Sequence, residues 1–280
     1  MVRRSRNFLF LVLLLSILTL GGCEIDPFGF FGSTDLDERW KERGTFNFLS
    51  YEDRNITLGD SYSFLVLNDT HIVNGNTRGL GKLKGVIEND SSIKFAVFNG
   101  DITQDGKRKD IEAFINTARS LGVPCYPVVG NHDIFFGNWT VWKELIGSTC
   151  YRINGGGTTL LFLDSANAYF GSKQLDWLDG ELRRAPGMVF VFTHANMFVG
   201  SLGLADIHLF TDIRERARVT YLLEGRAKAM FTGHAHYRIE LELNKGGVKY
   251  ITVEDYRDHS IYCQVWVEGN DIEKLEFKKL

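Results

Sequence analysis

The stretch Tyr126-Pro127-Val128-Val129-Gly130-Asn131-His132-Asp133 shows the arrangement that decides the fold: an apolar run that stops in metal-binding residue types. The run over 126–129 has the length and composition of a buried strand. Glycine, asparagine, histidine and aspartate follow it directly. Ligands of α/β sheets bind in the crevice beyond the carboxyl ends of the strands. The stretch therefore predicts a strand that ends at a binding site.

Four further apolar runs stop in the same way. Leu67 precedes Asn68-Asp69-Thr70-His71, Phe98 precedes Asn99-Gly100-Asp101, Phe192 precedes Thr193-His194, and Phe231 precedes Thr232-Gly233-His234-Ala235-His236. Five of the seven histidines lie in these five strand-end segments. A single histidine is more often a structural residue than a ligand. Five histidines in equivalent positions, with Asp, Asn and Gly beside them, indicate one shared site.

Seven apolar runs are predicted as buried strands, at 62–67, 93–98, 126–129, 159–163, 188–192, 229–231 and 248–253. Two segments, 110–121 and 174–183, place their apolar residues on one helical face. Strands that alternate with helices predict an α/β architecture. The run Gly155-Gly156-Gly157 lacks the Lys-Ser/Thr of a phosphate loop, so a hairpin turn is predicted there.

The donors in the strand-end segments are carboxylates and imidazoles, without a thiolate. Such sets bind divalent metals, and a shared carboxylate lets two cations lie about 3.5–4 Å apart. Glycines at 100, 130 and 233 would let the backbone approach the metals where a Cβ would obstruct. The same donors accept Mn, Fe or Zn, so the sequence predicts two divalent ions without selecting the element.

The ordered motifs resemble those of the calcineurin-like metallophosphoesterase superfamily: Asp-x-His at 69–71, Gly-Asp at 100–101, Gly-Asn-His-Asp at 130–133, a lone histidine at 194 and Gly-His-x-His at 233–236. The resemblance covers about residues 61–236. It implies an αββα fold in four layers, in which a two-sheet β-sandwich is flanked by helices. It also implies hydrolysis of phosphate esters.

The resemblance further implies a role for each motif residue. His132 would face the substrate, stabilising the phosphoryl group or protonating the leaving oxygen, and Asp133 would orient its imidazole. The implied ligands are Asp69, His71 and His236 for the first metal, Asn131, His194 and His234 for the second, and Asp101 as the bridge between them.

Two divalent cations with two carboxylates leave a positive site that attracts a phosphate and acidifies a bridging water, whose hydroxide attacks phosphorus in line. The sequence thus predicts a metal-dependent hydrolase of phosphate mono- or diesters. Ile102-Thr103-Gln104 supplies no tyrosine ligand of the purple acid phosphatase kind, and Asp133 stands where protein serine/threonine phosphatases have Glu. The chain looks more like the small bacterial branch with cyclic-nucleotide phosphodiesterases, which slightly favours a diesterase.

The first 22 residues read as a signal peptide, with three arginines before an apolar run over 8–20. A helix of that length spans roughly 20 Å, short of the ~30 Å bilayer core. Leu20-Gly21-Gly22-Cys23 resembles the bacterial lipobox, which predicts lipidation of Cys23 and an exported, membrane-anchored lipoprotein on a periplasmic or outer-surface face. An ordinary secretory signal is the alternative. Residues 23–44 read as a tether and 45–280 as the catalytic domain.

The net charge of the chain limits the kinds of molecule that it is expected to bind. Loss of the signal peptide removes three of the 32 basic side chains and no acidic one, so 29 face 35 acidic residues, a formal charge of −6. An acidic body grips a nucleic-acid backbone poorly. The expected substrate is a small phosphate ester or a lipid headgroup, not long nucleic acid. A surface lipoprotein that binds metal or a phosphate ligand without turnover is the alternative function.

Three features stay open. Cys125 and Cys150 could form a disulfide, since an exported protein meets an oxidising compartment, and Cys263 would then stay unpaired. The segment 196–212, which contains His208, could form a lid over the site. Four aromatic residues follow Gly-Asn-His-Asp: Phe135, Phe136, Trp139 and Trp142. They could form a wall for a nucleobase, a lipid tail or the membrane, although packing in the core is the simpler interpretation.

Overall fold

The computed structural model describes residues 34–198, 213–244 and 247–280. The predicted signal peptide, the predicted lipidation site Cys23 and most of the predicted lid, with His208, lie outside these residues. Across the described ranges, none of the helices combines the length and the apolarity that a membrane crossing requires.

The first sheet has five strands in the order β11-β10-β1-β2-β3. Strands β1, β2 and β3 are parallel, so their carboxyl ends meet at one edge, while β10 runs antiparallel to both β1 and β11. The strands are β1 Ser61–Leu67, β2 Ile93–Asn99, β3 Cys125–Val128, β10 Ile261–Glu268 and β11 Asp271–Lys279.

The second sheet has six strands in the order β4-β5-β6-β7-β9-β8. Strands β5, β6, β7 and β9 are parallel, and β4 and β8 are antiparallel edges. Gly155 pairs with Thr158, which confirms the predicted hairpin turn. The strands are β4 Tyr151–Gly155, β5 Thr158–Phe162, β6 Met188–Phe192, β7 Ala229–Thr232, β8 Ile239–Glu242 and β9 Lys249–Thr252.

Helices cover the outer faces of both sheets. The predicted helices at 110–121 and 174–183 are confirmed as α4 and α6. Short 3₁₀ turns occupy Leu80–Lys82 and His132–Ile134. The helices are α1 Leu36–Trp40, α2 Tyr51–Arg54, α3 Leu83–Asn89, α4 Arg108–Ser120, α5 Trp139–Leu145, α6 Ser172–Arg184, α7 Ile213–Leu223 and α8 Tyr256–His259.

Alternating side chains on the strands build three apolar cores. On β1, Phe64 points between the sheets and Leu65 points toward α4 and α5. The core between the sheets is largely aromatic, with the rings of Phe162 and Phe192 stacked at 5.1 Å between centroids and those of Phe192 and Phe231 at 5.2 Å. Aromatic rings bury large apolar areas and pack well in offset arrangements. The layers run helix, sheet, sheet, helix, as the α/β prediction and the family resemblance implied.

The suggested disulfide is wrong for this structure, because Cys125 and Cys150 are both buried, free thiols. Cys125 belongs to the core beneath α4 and α5, and Cys150 to the core beneath α6 and α7. Both sheets separate those two cores. A disulfide requires Cα atoms within about 7 Å, which this layering prevents.

Part of the segment predicted as a tether is packed on the body. In α1, Leu36 and Arg39 are buried. The Arg39 guanidinium donates to both carboxylate oxygens of Asp164, at 2.7 and 2.9 Å, and to Asn167 Oδ1 at 2.6 Å. A bidentate pair of this kind satisfies a buried guanidinium. The packed body therefore includes residues ahead of the boundary predicted at 45.

Candidate metal centre

The carboxyl ends of the parallel strands in both sheets converge on one cluster. The five-stranded sheet contributes residues that follow β1, β2 and β3, and the six-stranded sheet contributes residues that follow β6 and β7. Three overlapping groups place one donor atom per residue within 4.8 Å of one another: Asp69, His71 and His236; His71, Asp101 and His132; and Asp101, His194 and His234.

The backbone at this cluster is strained. Five of the predicted ligands have left-handed φ angles, although none is glycine. L residues rarely adopt this conformation, and it persists only where the surrounding structure holds it. The concentration of such residues at one site shows that the fold constrains these donors. The angles are 53° at Asp69, 43° at His71, 47° at Asp101, 67° at His234 and 58° at His236.

The three motif glycines lie against the donors, as predicted. A Cβ on Gly100 would lie 2.2 Å from His194 Nδ1, and one on Gly130 would lie 2.2 Å from the Asp101 backbone nitrogen and Oδ1. A Cβ on Gly233 would lie 3.0 Å from Asp69 Oδ2. Side chains at these positions would push the donors apart, so glycine is needed for their close approach.

Two buried asparagines, whose importance the sequence did not reveal, tie the sheets together at the cluster. Asn68 follows β1, and its amide nitrogen donates to the carbonyls of Thr232 at 2.7 Å and Val253 at 2.9 Å. Asn99 ends β2, and its amide nitrogen donates to Thr193 O at 3.0 Å. These bonds hold the strand ends of one sheet against those of the other.

Each of the two carboxylates is fixed through one oxygen and presents the other. Asp69 Oδ2 accepts from the backbone N–H of His234 at 3.0 Å, and Asp101 Oδ1 accepts from that of His132 at 2.9 Å. Asp69 Oδ1 then lies 3.4 Å from His236 Nε2, and Asp101 Oδ2 lies 3.2 Å from His194 Nε2.

The two carboxylates share imidazole neighbours. His71 Nε2 lies 3.9 Å from both Asp69 Oδ1 and Asp101 Oδ2, and His194 Nε2 lies 4.0 Å from Asp69 Oδ1. The Nδ1 atom of His194 donates to the carbonyl of Asn99 at 3.1 Å, which directs Nε2 toward the carboxylates. The imidazoles of His71 and His194 thus lie close to both carboxylates.

Electrostatics favour two charged carboxylates here. Burial raises the pKa of Asp101, but the imidazoles of His194, His132 and His71 hold it well below its usual range. For Asp69, burial is likewise outweighed, by His236 and His194, and the pKa is lowered. Burial lowers the pKa of His71 to about 4, despite the attraction of Asp101 and Asp69. His71 is therefore a neutral imidazole near pH 7, the form that binds metal.

Buried polar atoms without hydrogen-bond partners show that these residues fit a metal site. Asp69 Oδ1 and both ring nitrogens of His71 are buried without a hydrogen-bond partner among the described residues. Buried polar atoms in folded proteins are nearly always satisfied. Divalent cations would satisfy them. Asn131, the remaining predicted ligand, is buried directly before His132, and its role stays a prediction.

His132 lies at the accessible side of the cluster. Its Nε2 is 3.9 Å from Asp101 Oδ2, and 26% of its side chain is exposed, compared with 34% for His236 and about 1% for His71. Its Nδ1 donates to the main-chain carbonyl of Gln104 at 2.8 Å. That bond leaves Nε2 facing the cluster, as required of a group that touches substrate.

The predicted role of Asp133 as the partner of the His132 ring is wrong. The Asp133 carboxylate is buried and accepts from the backbone N–H groups of Thr103 at 2.8 Å, Gly130 at 2.9 Å and Ile102 at 3.2 Å. Burial and the nearby Asp101 raise the pKa of Asp133 to about 6. Asp133 joins the loops after β2 and β3, while the Gln104 carbonyl orients His132.

Arg257 is a site residue that the motifs did not predict. Its backbone N–H donates to Asp69 O at 3.1 Å, and its guanidinium lies 3.4 Å from His236 Nδ1 and 2.8 Å from the Asp258 carboxylate. The sequence did contain a signal for this part of the site. The apolar run that forms β9 is followed by polar residues, Glu254 and Asp255, and β9 runs parallel to β7, so its carboxyl end lies at the same edge of the sheet. By contrast, His259 is half exposed and binds Asp255 at 2.8 Å, in keeping with surface placement.

Comparison with known proteins agrees with this geometry. Residues 62–238 match the calcineurin-like phosphoesterase family. Over 174 residues the chain is 26% identical to a probable cyclic nucleotide phosphodiesterase of Fibrobacter succinogenes. That alignment covers 59% of this chain and 66% of the relative, just under two thirds of its length.

Solved structures show the same fold. A dimetal phosphatase from Danio rerio superposes with a TM-score of 0.57 at 15% identity, over 78% of this chain and 95% of that one. A purple acid phosphatase from yellow lupin seeds superposes with a TM-score of 0.60 at 12% identity, over 78% of this chain and 51% of that one. Since the family match spans more than half of the chain and its motifs build a cluster of His and Asp donors, the chain belongs to the calcineurin-like phosphoesterase family.

Proposed function

We propose that the protein is a phosphodiesterase of the small bacterial branch that includes cyclic-nucleotide phosphodiesterases, and that monoesters are poorer substrates. The observation that carries the proposal is the pair of carboxylate oxygens, Asp69 Oδ1 and Asp101 Oδ2, that face a shared set of imidazoles. The relative from Fibrobacter succinogenes is named as a probable cyclic nucleotide phosphodiesterase, which supports the choice of a diester.

The ligand assignment is the one that the family resemblance implies, and the groups of donor atoms support it. Asp69, His71 and His236 would hold one cation, and Asp101 with His194, His234 and Asn131 the other, with Asp101 shared. When bound, two divalent ions supply positive charge that offsets the phosphate and make a coordinated water more acidic. Manganese, iron and zinc all suit the donor set.

The chain's own residues then act on the ester. His132 is held by Gln104 so that Nε2 faces the accessible side, where it can place a proton on the leaving oxygen. Arg257 adds a guanidinium beside His236 that can bind a non-bridging phosphate oxygen. A diester carries one negative charge at neutral pH, which a single guanidinium at the rim matches.

The decisive experiment uses the full-length protein in mild detergent, stripped of metal by a chelator and reloaded with Mn²⁺. We expect metal-dependent hydrolysis of bis-p-nitrophenyl phosphate, at a higher kcat/KM than p-nitrophenyl phosphate. A preference for the monoester would overturn the diesterase assignment. Two bound metals without hydrolysis of either ester would favour the alternative, a binding protein for metals or phosphate ligands.

We also propose that the protein is exported and anchored in a membrane by a lipid on Cys23, on a periplasmic or outer-surface face, and acts there on a small phosphate ester or a lipid headgroup. The support is the sequence Leu20-Gly21-Gly22-Cys23 after an apolar run. Metabolic labelling with a fatty-acid analogue should tag the wild type and not Cys23→Ser. Equal membrane recovery of both proteins would contradict the anchor.

A further inference from the structure

The aromatic segment after Gly-Asn-His-Asp divides into a buried part and an exposed part. Trp139 and Trp142 are buried in the core beneath α4 and α5, so the core-packing interpretation holds for them. Phe136 is 67% exposed. Its ring lies next to that of Phe135, which itself packs on the catalytic His132, so an accessible apolar surface continues outward from the metal centre.

The loop that carries Phe136 is fixed at both sides. Asn138 Nδ2 donates to Asp105 O at 2.6 Å, and a Cβ on Gly106 would lie 2.2 Å from Asp133 O, so the loops after β2 and β3 are in close contact. At Phe136 itself φ is +55°, a left-handed conformation that is unfavourable for a bulky residue. The fold holds an exposed ring in a strained position, and such strain concentrates at functional sites.

A row of rings leads from the metal centre to Phe136. The centroids of His71 and His132 are 4.7 Å apart, those of His132 and Phe135 are 4.5 Å apart, and those of Phe135 and Phe136 are 5.9 Å apart. His132 is the residue assigned to protonate the leaving oxygen. A group attached to that oxygen that extends outward past His132 reaches Phe135 and Phe136.

We propose that Phe135 and Phe136 form a binding platform for the leaving group, and that the natural substrate is a phosphoester whose leaving group carries a planar ring. The inference rests on the proposed function, because it needs an ester at the metal centre. The platform sets specificity, since ring-on-ring contacts favour planar groups over aliphatic ones of similar charge. Contact with a membrane is a different use of an exposed ring, but the direct packing of Phe135 on His132 favours the substrate.

Two non-hydrolysable phosphonates test the platform, because in each a CH₂ group replaces the ester oxygen. Benzylphosphonate carries a ring and ethylphosphonate does not. With full-length protein loaded with Mn²⁺, we expect calorimetry and competitive inhibition to show benzylphosphonate binding about threefold to tenfold more tightly than ethylphosphonate. Phe136→Ala should reduce that ratio to below about twofold, with ethylphosphonate affinity unchanged, and Phe136→Trp should keep the ratio.

Tyr51→Ala is the matched control, because Tyr51 is 68% exposed and its helix α2 contacts the start of β3, at the opposite end from the site. The control should keep the wild-type ratio. Equal affinities in the wild type, or a Phe136→Ala variant that weakens both phosphonates alike, would overturn the platform. A fluorescence experiment on Phe136→Trp, reconstituted in brominated phosphatidylcholine vesicles, could also overturn it. Quenching of the fluorescence by the lipid, without any change on addition of benzylphosphonate, would show that the ring contacts the membrane.

The outcome also separates this inference from the proposed function. Metal-dependent binding of ethylphosphonate without a preference for benzylphosphonate would remove the platform and leave the phosphoesterase assignment standing. Failure to bind either phosphonate, together with failure to hydrolyse either p-nitrophenyl ester, would remove the proposed function and the platform with it.

Discussion

The two sheets contribute unlike halves of the metal centre. The five-stranded sheet supplies both carboxylates, Asp69 and Asp101, together with the accessible His132. The six-stranded sheet supplies imidazoles, at His194, His234 and His236, and no carboxylate of the clusters identified among the described residues. Neither sheet could hold two cations alone, so the site exists only when the two sheets are in register.

The acidic half carries the negative charge of the site, and the other half carries three of its five clustered imidazoles. Asp101 is within 4 Å of imidazoles from both sheets, and its low pKa comes from them. The buried amides of Asn68 and Asn99 set the spacing between the halves. Substitutions can therefore test this difference between the sheets. They remove in turn the shared negative charge, the proton donor, a hydrogen bond that aligns the sheets and a cation at the rim of the site.

The largest effect is expected for Asp101→Asn, which removes the shared negative charge from the acidic half. Metal content should fall by at least one ion per chain and hydrolysis should fall to background, as measured by elemental analysis and a p-nitrophenyl ester assay. Asp110→Asn is the control, since Asp110 is a buried aspartate that accepts from Gly75 N at 2.7 Å outside the cluster. Full occupancy in Asp101→Asn would show that Asp101 is not shared.

His132→Ala comes next, and it separates chemistry from metal binding. We expect kcat to fall about a hundredfold to a thousandfold, because the leaving oxygen loses its proton donor. Metal content should match the wild type, since His132 is not assigned as a ligand. Loss of a metal in this variant would instead make His132 part of the donor shell, as its grouping with His71 and Asp101 allows.

Asn99→Ala tests the alignment of the halves. Losing the bond to Thr193 O leaves a buried carbonyl without its donor, so the free energy of unfolding of the metal-free protein should fall by about 1–3 kcal/mol. Chemical denaturation would measure it, and the affinity for Mn²⁺ should weaken too. Asn89→Ala, which removes an exposed amide that binds Gly85 O, should cost less than about 0.5 kcal/mol. Equal losses in the two variants would contradict a special role for the cross-sheet bond.

A smaller effect is expected at the rim. Arg257→Gln should raise KM for bis-p-nitrophenyl phosphate about threefold to tenfold and weaken inhibition by inorganic phosphate similarly, with a lesser change in kcat. Arg183→Gln, which breaks an exposed pair with Asp179 on α6, controls for loss of a surface charge. If kcat fell while KM stayed constant, Arg257 would act on the chemical step instead.

The smallest effect is expected at the thiols, which lie in separate cores. Burial raises the pKa of Cys125 to about 12 and that of Cys150 well above its usual range. Thiolates are the reactive form, so both should stay unmodified by a thiol reagent in the native protein and react fully in denaturant. Dithiothreitol should leave the thermal midpoint unchanged. A fall in the midpoint would reveal a disulfide.

Local pattern was sufficient for the parallel strands and for the donors at their ends. A buried strand needs a continuous apolar run, and a ligand must follow the strand within a few residues, so both leave a signal in adjacent positions. The edge strands β8 and β11 have a weaker sequence signal. The side chains of β8 alternate between partly buried and exposed positions. Those of β11 are all partly buried or exposed, and charged residues occur along its length.

The sequence by itself determined the residue types and order of the metal centre: the acids and histidines after β1, β2, β6 and β7, and the glycines that make room for them. Only the tertiary structure decided which group orients His132, where Asp133 binds, how Asn68 and Asn99 join the sheets, and that Arg257 reaches the rim. The reason is physical. A motif records neighbours along the chain, whereas these contacts join segments up to 188 residues apart, as between Asp69 and Arg257, and depend on how two sheets pack.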